Sequence, residues 1–268
     1  MTSSLAATSG TLRSMTGRIA TVTGSGGNIG RVITLGFARD GANVVINGNR
    51  NLDALESVAQ EARSLGVEAM VSLADVGDHV AVASMVDKTV QRFGSVDIAV
   101  SNVSSRIHQP FLNISIEDWQ RIINTNLSSA FYLARACLTH MATQRWGRII
   151  HISGRDGFSP KANRAHNVTA KAGVFALTKA IATEFGPLGI TANAVAPGVV
   201  DTTRDLAHYP DAADDALQDS FTARKSAIPL RHFGHVDDIA AACTYLCSVA
   251  GGFMTGQIMH VNGGEFMF

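Results

Sequence analysis

A lysine and an asparagine stand four residues apart in the segment HNVTAKAGV, which places Lys171 after Asn167. Side chains with that spacing share one face of an α-helix. An ammonium and an amide on one face donate hydrogen bonds that stabilise a developing oxygen anion. An amide does not ionise, so Asn167 cannot serve as a general acid. The pair can therefore stabilise charge on an oxygen, whereas a proton would have to come from another group.

Three histidines are candidates for the proton donor that Asn167 cannot be. His166 directly precedes Asn167, and His151 and His108 are the next candidates. A histidine titrates near neutral pH and is a common acid–base group. With about 3.6 residues per turn, however, His166 lies about 100° around the helix from Asn167. A structural or solvent-facing histidine is therefore the competing interpretation.

A glycine-rich turn, TGSGGNIG at 23–30, follows the first apolar β-branched segment. Glycines in this place let the backbone approach a pyrophosphate, and the start of the next helix stabilises its charge. Asn28 takes the place of a glycine, and Asn is the other residue type that tolerates a positive φ. The predicted phosphate-binding residues are Gly24, Ser25, Asn28, Ile29 and Gly30.

The elements that carry these residues alternate from Gly17 onward, short β-branched runs being followed by longer helical patterns. Continuous apolar strands, each followed by a helix, indicate a parallel sheet covered on both faces. The right-handed crossover rule then predicts an α/β doubly wound sheet. One long helix is predicted over 116–143.

No fixed-period repeat or linker interrupts the pattern, so we predict a single domain over 15–268 after a flexible leader over 1–14. The segment 201–227 breaks the alternation, because it is polar and acidic and contains Pro210. Such segments often form substrate lids. A solvated surface excursion is the alternative.

These motifs resemble, in order, those of the short-chain dehydrogenase/reductase family, from about residue 16 to residue 264. The resemblance implies a Rossmann fold and hydride transfer with NAD or NADP. The turn matches the family's T-G-x-x-x-G-[IL]-G apart from Asn28. Asn126 resembles the family's helix asparagine, which supports a proton-relay water. Further matches are Asp75 and Val76 at the adenine, Asn102 in a loop that only partly matches N-N-A-G, and Pro197, Gly198, Val200 and Thr202 at the nicotinamide.

The family's proton donor is a tyrosine four residues before a lysine, and a serine after the fifth strand holds the substrate oxygen. Lys171 stands at the lysine position and is expected to contact the cofactor too. Asn167 stands at the tyrosine position and Gly154 at the serine position. Ser153 is expected on the opposite face by strand alternation. None of the tyrosines, Tyr132, Tyr209 and Tyr245, precedes a lysine by four residues.

Three explanations of these departures stay open. Another group, with His166 first, supplies the proton. Alternatively the reaction needs no tyrosine, as in the related 2,4-dienoyl-CoA reductases, with Lys171, Asn167 and Asn126 as donors to an enolate oxygen. In the third, the protein binds a ligand or partner without hydride transfer. Arg155 and Asp156 are expected either to orient a polar or anionic substrate or to form a surface ion pair.

The second strand ends in the sequence INGNR, without the acid that would hold a ribose 2′-hydroxyl. Arg50 is predicted to pair with a 2′-phosphate, which favours NADP over NAD. An ordinary exposed arginine is the alternative.

Composition narrows the classes of partner. The formal net charge is zero, from 22 basic and 22 acidic residues, so neither nucleic acid nor an anionic membrane is expected. No apolar run reaches the length of a membrane span, and three cysteines are too few for a disulfide framework. We expect a cytoplasmic protein with a small-molecule substrate and no metal. The resemblance and the apolar tail at 266–268 predict a homo-oligomer, a tetramer or a dimer.

Overall fold

A computed structural model describes residues 14–202 and 225–267. The strands are β1 (Ile19–Val22), β2 (Asn43–Gly48), β3 (Ala69–Leu73), β4 (Ile98–Ser101), β5 (Gly147–Ile152), β6 (Ile190–Pro197) and β7 (Ile258–Val261). They form one parallel sheet in the order β3-β2-β1-β4-β5-β6-β7. The order reverses at β1, so a crevice opens beyond the carboxyl ends of β1 and β4. The predicted doubly wound parallel sheet is confirmed.

The helices are α1 (Asn28–Arg39), α2 (Leu52–Ser64), α3 (His79–Phe93), α4 (Ile116–Ile123), α5 (Ser129–Gln144), α6 (Ala165–Phe185) and α7 (Val236–Cys247). Helices α1, α2 and α7 pack on one face of the sheet. Helices α3, α5 and α6 pack on the other. Because both faces are covered, every residue of β1, β5 and β6 is buried. Their sequences are mostly apolar, and the polar residues among them are buried too: Thr21, Arg148, His151, Thr191 and Asn193.

The helix predicted over 116–143 is present, but a π turn divides it into two α-helices. Helix α4 ends at Ile123, and a π turn over Asn124–Ser128 separates it from α5. A π turn inserts one extra residue into a helix and is frequent at functional sites. The spacing of apolar residues continues through it, so the sequence pattern does not reveal it. Asn126 lies in this turn and is buried.

Within 14–202 and 225–267, no helix is both long and apolar enough to span a bilayer. The same ranges contain no group of three or more His, Cys, Asp or Glu side chains placed to hold a metal ion. Most of the predicted lid at 201–227, and all of the predicted leader except residue 14, lie outside the described residues.

Candidate active site

The glycine-rich turn joins β1 to α1 at the crevice. Gly24 has a φ of 62° and Asn28 a φ of 47°, so the asparagine adopts the left-handed conformation that a glycine would adopt more easily. A Cβ atom on Gly30 would lie 2.2 Å from the carbonyl oxygen of Gly24. The turn therefore closes this tightly only with a glycine at position 30.

The start of α1 fits an anionic group. Its N-cap, Gly27, provides no side-chain cap, and no acidic residue occurs in the first turn. Side chains cap the starts of α2, α3 and α4 instead. A Cβ atom on Gly27 would meet no heavy atom within 4 Å. Uncapped N–H groups beside open space are the arrangement that binds a diphosphate.

Three of the predicted phosphate-binding and loop residues support the turn from behind. The Ser25 hydroxyl donates to the Val22 carbonyl at 2.9 Å and accepts from the Asn47 N–H at 2.9 Å. The Asn102 amide donates to the carbonyls of Thr23 at 3.2 Å and Gly24 at 3.1 Å. Ile29 packs against the core below α1. These contacts are with the protein itself and fix the shape of the turn.

The predicted adenine and ribose residues follow β3 and β2. Asp75 accepts a hydrogen bond from the Gly77 N–H at 2.8 Å, and Val76 is buried. Arg50 is exposed between β2 and α2. The buried Asn47 donates to the carbonyls of Ser72 and Ala74, so its amide is engaged by the loop after β3.

The predicted nicotinamide residues follow β6 at the same edge of the sheet. Pro197 ends the strand, and the Gly198 N–H donates to the Val261 carbonyl at 2.9 Å. A Cβ atom on Gly198 would lie 2.8 Å from the Cα atom of Asn262. Val200 forms an isolated parallel bridge with Gly234. Thr202 is the last described residue of this segment.

A buried chain of hydrogen bonds runs through the predicted catalytic residues. Asn126 accepts from the Ser105 N–H at 2.7 Å and donates to the Ser105 carbonyl at 2.7 Å. The Asn126 amide also donates to Asn167 Oδ1 at 3.1 Å. Asn167 Nδ2 in turn donates to Asp156 Oδ2 at 2.7 Å.

The direction of this chain is fixed at one end by backbone groups. The N–H and carbonyl of Ser105 cannot exchange roles, so they determine which end of the Asn126 amide is oxygen. Asn126 therefore donates an N–H to Asn167, so the Asn167 group that faces Asn126 must be the amide oxygen. The Asn167 N–H therefore faces the acceptor-only carboxylate of Asp156. Both Asn126 amide hydrogens are used, and Asn167 has one amide hydrogen beyond the one that it donates to Asp156.

The Asp156 carboxylate is held by cations from two directions. Arg164 donates to both of its oxygens, at 3.2 and 3.3 Å, and Arg155 Nε lies 3.9 Å from Oδ1. Arg155 also pairs with Glu265 of the C-terminal segment. The side chains of Asp156, Arg155 and Arg164 are only 6%, 13% and 15% exposed. The expectation of a surface ion pair is therefore wrong, because this group is buried.

Lys171 lies one helical turn after Asn167 and is buried. Burial lowers its pKa to about 8, although the charge of Asp156 opposes that change and the charge of Arg106 adds to it. The ammonium donates to the Ile152 carbonyl at 3.4 Å. Ser153 packs against α6 and donates to the Lys171 carbonyl at 3.2 Å. At Gly154, the predicted serine position, a Cβ atom would meet no heavy atom within 4 Å.

The structure does not bring the histidines into this hydrogen-bonded chain. His166 is buried, and its Nδ1 accepts a hydrogen bond from the backbone N–H of Asn167 at 2.8 Å. Burial lowers the pKa of His166, and the charge of Asp118 on α4 opposes that change. His151 Nδ1 bonds to the Thr178 hydroxyl at 2.9 Å, and burial lowers its pKa to about 4. His108 is exposed.

Comparisons with known proteins agree with the resemblance. A family model described as enoyl-(acyl carrier protein) reductase matches residues 24–265. The chain is 36% identical over 248 residues to the 3-oxoacyl-[acyl-carrier-protein] reductase FabG of Staphylococcus aureus, covering 92% of this chain and 98% of the relative. The chain belongs to the short-chain dehydrogenase/reductase family.

Solved structures of this family match across nearly the whole chain. A short-chain type dehydrogenase/reductase from Mycobacterium marinum is 32% identical, with a TM-score of 0.85 and coverage of 96% of this chain and 98% of that one. An NAD+-bound xylitol dehydrogenase is 28% identical, with a TM-score of 0.86 and coverage of 93% and 99%. As a short-chain dehydrogenase/reductase, the chain is an oxidoreductase of a nicotinamide-dependent type.

Two glycine substitutions separate the shape of the turn from its function. We expect Gly30→Ala to destabilise the protein, because the clash with Gly24 exceeds the gain in helix propensity of about 1 kcal/mol. We expect Gly27→Ala to fold normally, because its methyl group enters open space. If that space receives the diphosphate, Gly27→Ala weakens NADPH binding by about tenfold or more, or at least 1.4 kcal/mol. Urea unfolding and fluorescence titration measure the two effects, and unchanged NADPH binding in Gly27→Ala would contradict this placement.

Proposed function

We propose that the chain is a reductase that adds hydride to a carbon conjugated with a carbonyl group. The observation that carries the proposal is the fixed orientation of Asn167, which Asn126 and Asp156 hold as a hydrogen-bond donor. Lys171 follows one turn later on the same helix. Together they offer an amide N–H and an ammonium to the carbonyl oxygen of a substrate.

The chemistry of the donors favours conjugate addition over ketone reduction. Reduction of a ketone leaves an alkoxide that must be protonated on oxygen, and Asn167 has no acidic proton to give. Loss of a positioned acid costs roughly 10²–10⁴-fold in rate. In conjugate addition, hydride bonds to the β-carbon and the double-bond electrons move onto the carbonyl oxygen as an enolate. That oxygen needs donors only, and the α-carbon afterwards takes a proton from water.

Each residue of the site has a separate task in this reaction. The nicotinamide ring supplies the hydride when it is bound. The free N–H of Asn167 and the ammonium of Lys171 stabilise the enolate oxygen. Asn126 has no amide hydrogen left, so it orients Asn167. Gly154 leaves open space where the family has a serine side chain. That space has room for a bulkier substrate, or for a substrate oxygen that lies in a different place.

A panel of thioesters tests the reaction class. We expect NADPH oxidation with trans-2-enoyl thioesters and much slower oxidation with the matching 3-oxoacyl thioesters.

We expect the double variant Asn167→Tyr with Gly154→Ser to gain little carbonyl reductase activity, because the pocket is built around a different oxygen position. A gain of a hundredfold, about 2.7 kcal/mol, would instead favour simple loss of the acid. Absence of turnover with cofactor bound would favour a ligand-binding protein without hydride transfer.

For the cofactor we propose NADP over NAD, with Arg50 as the residue that selects it. Arg50 is exposed where the ribose would lie, and no carboxylate follows β2 before Asp53. We expect Arg50→Ala to weaken NADPH binding by about tenfold through loss of a charge-assisted hydrogen bond, and to leave NADH binding unchanged. Arg39→Ala, at an exposed arginine ending α1, is the control. Equal losses for the two cofactors would contradict the assignment.

We also propose a symmetric homo-oligomer, a tetramer in preference to a dimer. Tyr245, Val249 and Phe253 are exposed large apolar side chains at and beyond the end of α7, and Met267 is exposed near the C-terminus. Exposed apolar side chains in such number favour a covered surface. Light scattering at micromolar concentration is expected to give four times the protomer mass, and Phe253→Asp to reduce it. A monomeric mass for the native chain would contradict the proposal.

A further inference from the structure

The orientation of Asn167 has to be enforced, because the two ends of an amide are nearly the same size and differ only in hydrogen bonding. Asn126 gives one contact, from its Nδ2 to Asn167 Oδ1 at 3.1 Å. Asp156 gives the shorter contact, at 2.7 Å, and its carboxylate accepts only. A flipped Asn167 would place its oxygen against a carboxylate and its N–H groups against another N–H donor.

The loop that carries Asp156 is pressed directly onto α6. A Cβ atom on Gly157 would lie 2.4 Å from Phe175 Cε2 and 3.0 Å from the Lys171 carbonyl carbon. A glycine is therefore required for this approach. The approach brings the carboxylate within hydrogen-bond distance of Asn167, although the two residues lie 11 apart in the chain.

Charged partners from distant segments anchor the same loop. Arg164, at the N-cap of α6, binds the carboxylate on one side. Arg155 pairs with Glu265 of the C-terminal segment, 110 residues away, and its guanidinium lies 5.6 Å from the centre of the Phe266 ring. Asp156 is therefore a buried charge whose position is determined from several directions, which suits a group that orients another.

We propose that Asp156 is a positioning residue, whose carboxylate holds Asn167 with its remaining N–H available to the substrate oxygen. The proposal rests on the proposed function of Asn167 as a donor. Asn167 and Arg164 occupy most of the hydrogen-bond acceptor positions of the Asp156 carboxylate. Asp156 therefore acts through Asn167 and does not contact the substrate.

The same carboxylate acts on the neighbouring ammonium. The charged groups that face Lys171 are Asp156, which raises its pKa, and Arg106, which lowers it. Arg155 and Arg164 act through their contacts with Asp156. Removing the negative charge of Asp156 is therefore expected to lower the pKa of Lys171 further. As the pH rises, a reaction that needs the ammonium would then lose its activity at a lower pH than in the native protein.

A double-mutant cycle between Asp156 and Asn167 tests the positioning role. Loss of one oxyanion donor typically costs about 10²-fold in kcat, and we expect this of Asn167→Ala with an enoyl thioester. Asp156→Ala is expected to lose most of that factor while changing KM little. Added to Asn167→Ala, it should cost almost nothing more, because both changes remove the same interaction. Asp87→Asn, at an exposed acid on α3, is the control. Independent, multiplying effects would overturn the proposal.

Asp156→Asn serves where Asp156→Ala does not fold, because its amide oxygen still accepts from Asn167 while the charge is removed. We expect kcat at pH 6.5 to stay within about threefold of the native value. The alkaline loss of activity, near pH 8 in the native enzyme if it follows Lys171, should move about one pH unit lower. An unmoved alkaline limb, or a kcat as low as that of Asn167→Ala, would overturn the proposal.

A spectroscopic readout separates this proposal from the proposed function. In protein labelled with 15N-asparagine, the Asn167 side-chain amide is assigned by its absence from Asn167→Ala. We expect the signal to shift and exchange faster with solvent in Asp156→Ala, and to stay unchanged in Asp87→Asn. No turnover by the native enzyme, with this shift present, would sink the proposed function alone. An unshifted signal would sink the positioning role, whatever the activity.

Discussion

The two hydrogen bonds between Asn126 and the backbone of Ser105 fix the direction of the hydrogen-bonded chain on which our proposed function rests. Backbone donors and acceptors cannot be reversed, so they set the direction of each bond that follows. Asp156, the last member of the chain, can only accept a hydrogen bond. The backbone of Ser105 at one end and the carboxylate of Asp156 at the other therefore require the same direction for the bonds between them. Asn167, which by resemblance takes the place of the family's tyrosine, is thereby oriented with its amide N–H toward Asp156. An amide in this orientation can donate a hydrogen bond to an oxygen but cannot protonate it.

The rest of the fold brings this chain to the edge of the sheet. The π turn between α4 and α5 carries Asn126 toward α6, and the glycine at position 157 lets the loop after β5 touch that helix. The glycine turn after β1 lies at the same edge and leaves the start of α1 uncapped. A diphosphate at that helix start and a substrate beside Gly154 would thus occupy the one crevice that a doubly wound sheet provides.

The sequence alone predicts the parallel sheet, which the structure confirms, and it predicts Asn167, Gly154 and Lys171 as site residues through the family resemblance. The buried strands are mostly apolar runs, and Lys171 lies one turn from Asn167 in any helix. The sequence does not predict the contacts of Asp156. Asp156 binds Asn167, 11 residues away in the chain, and its neighbour Arg155 pairs with Glu265, 110 residues away. Pairs at such separations depend on the tertiary fold and leave no local pattern. The π turn is not predicted either, because neither proline nor glycine occurs in Asn124–Ser128 to mark a break in the helix.

Membership of the short-chain dehydrogenase/reductase family defines the scaffold, and in our proposal the residues at positions 154, 156 and 167 define the reaction. The most direct test follows the hydride itself, by turning over an enoyl thioester with NADPH deuterated at the transferred position. Our account places deuterium on the carbon β to the carbonyl and a solvent-derived proton on the α-carbon. Deuterium on a carbinol carbon, formed from a 3-oxoacyl thioester at a comparable rate, would show that the site reduces ketones without a tyrosine and would contradict the account.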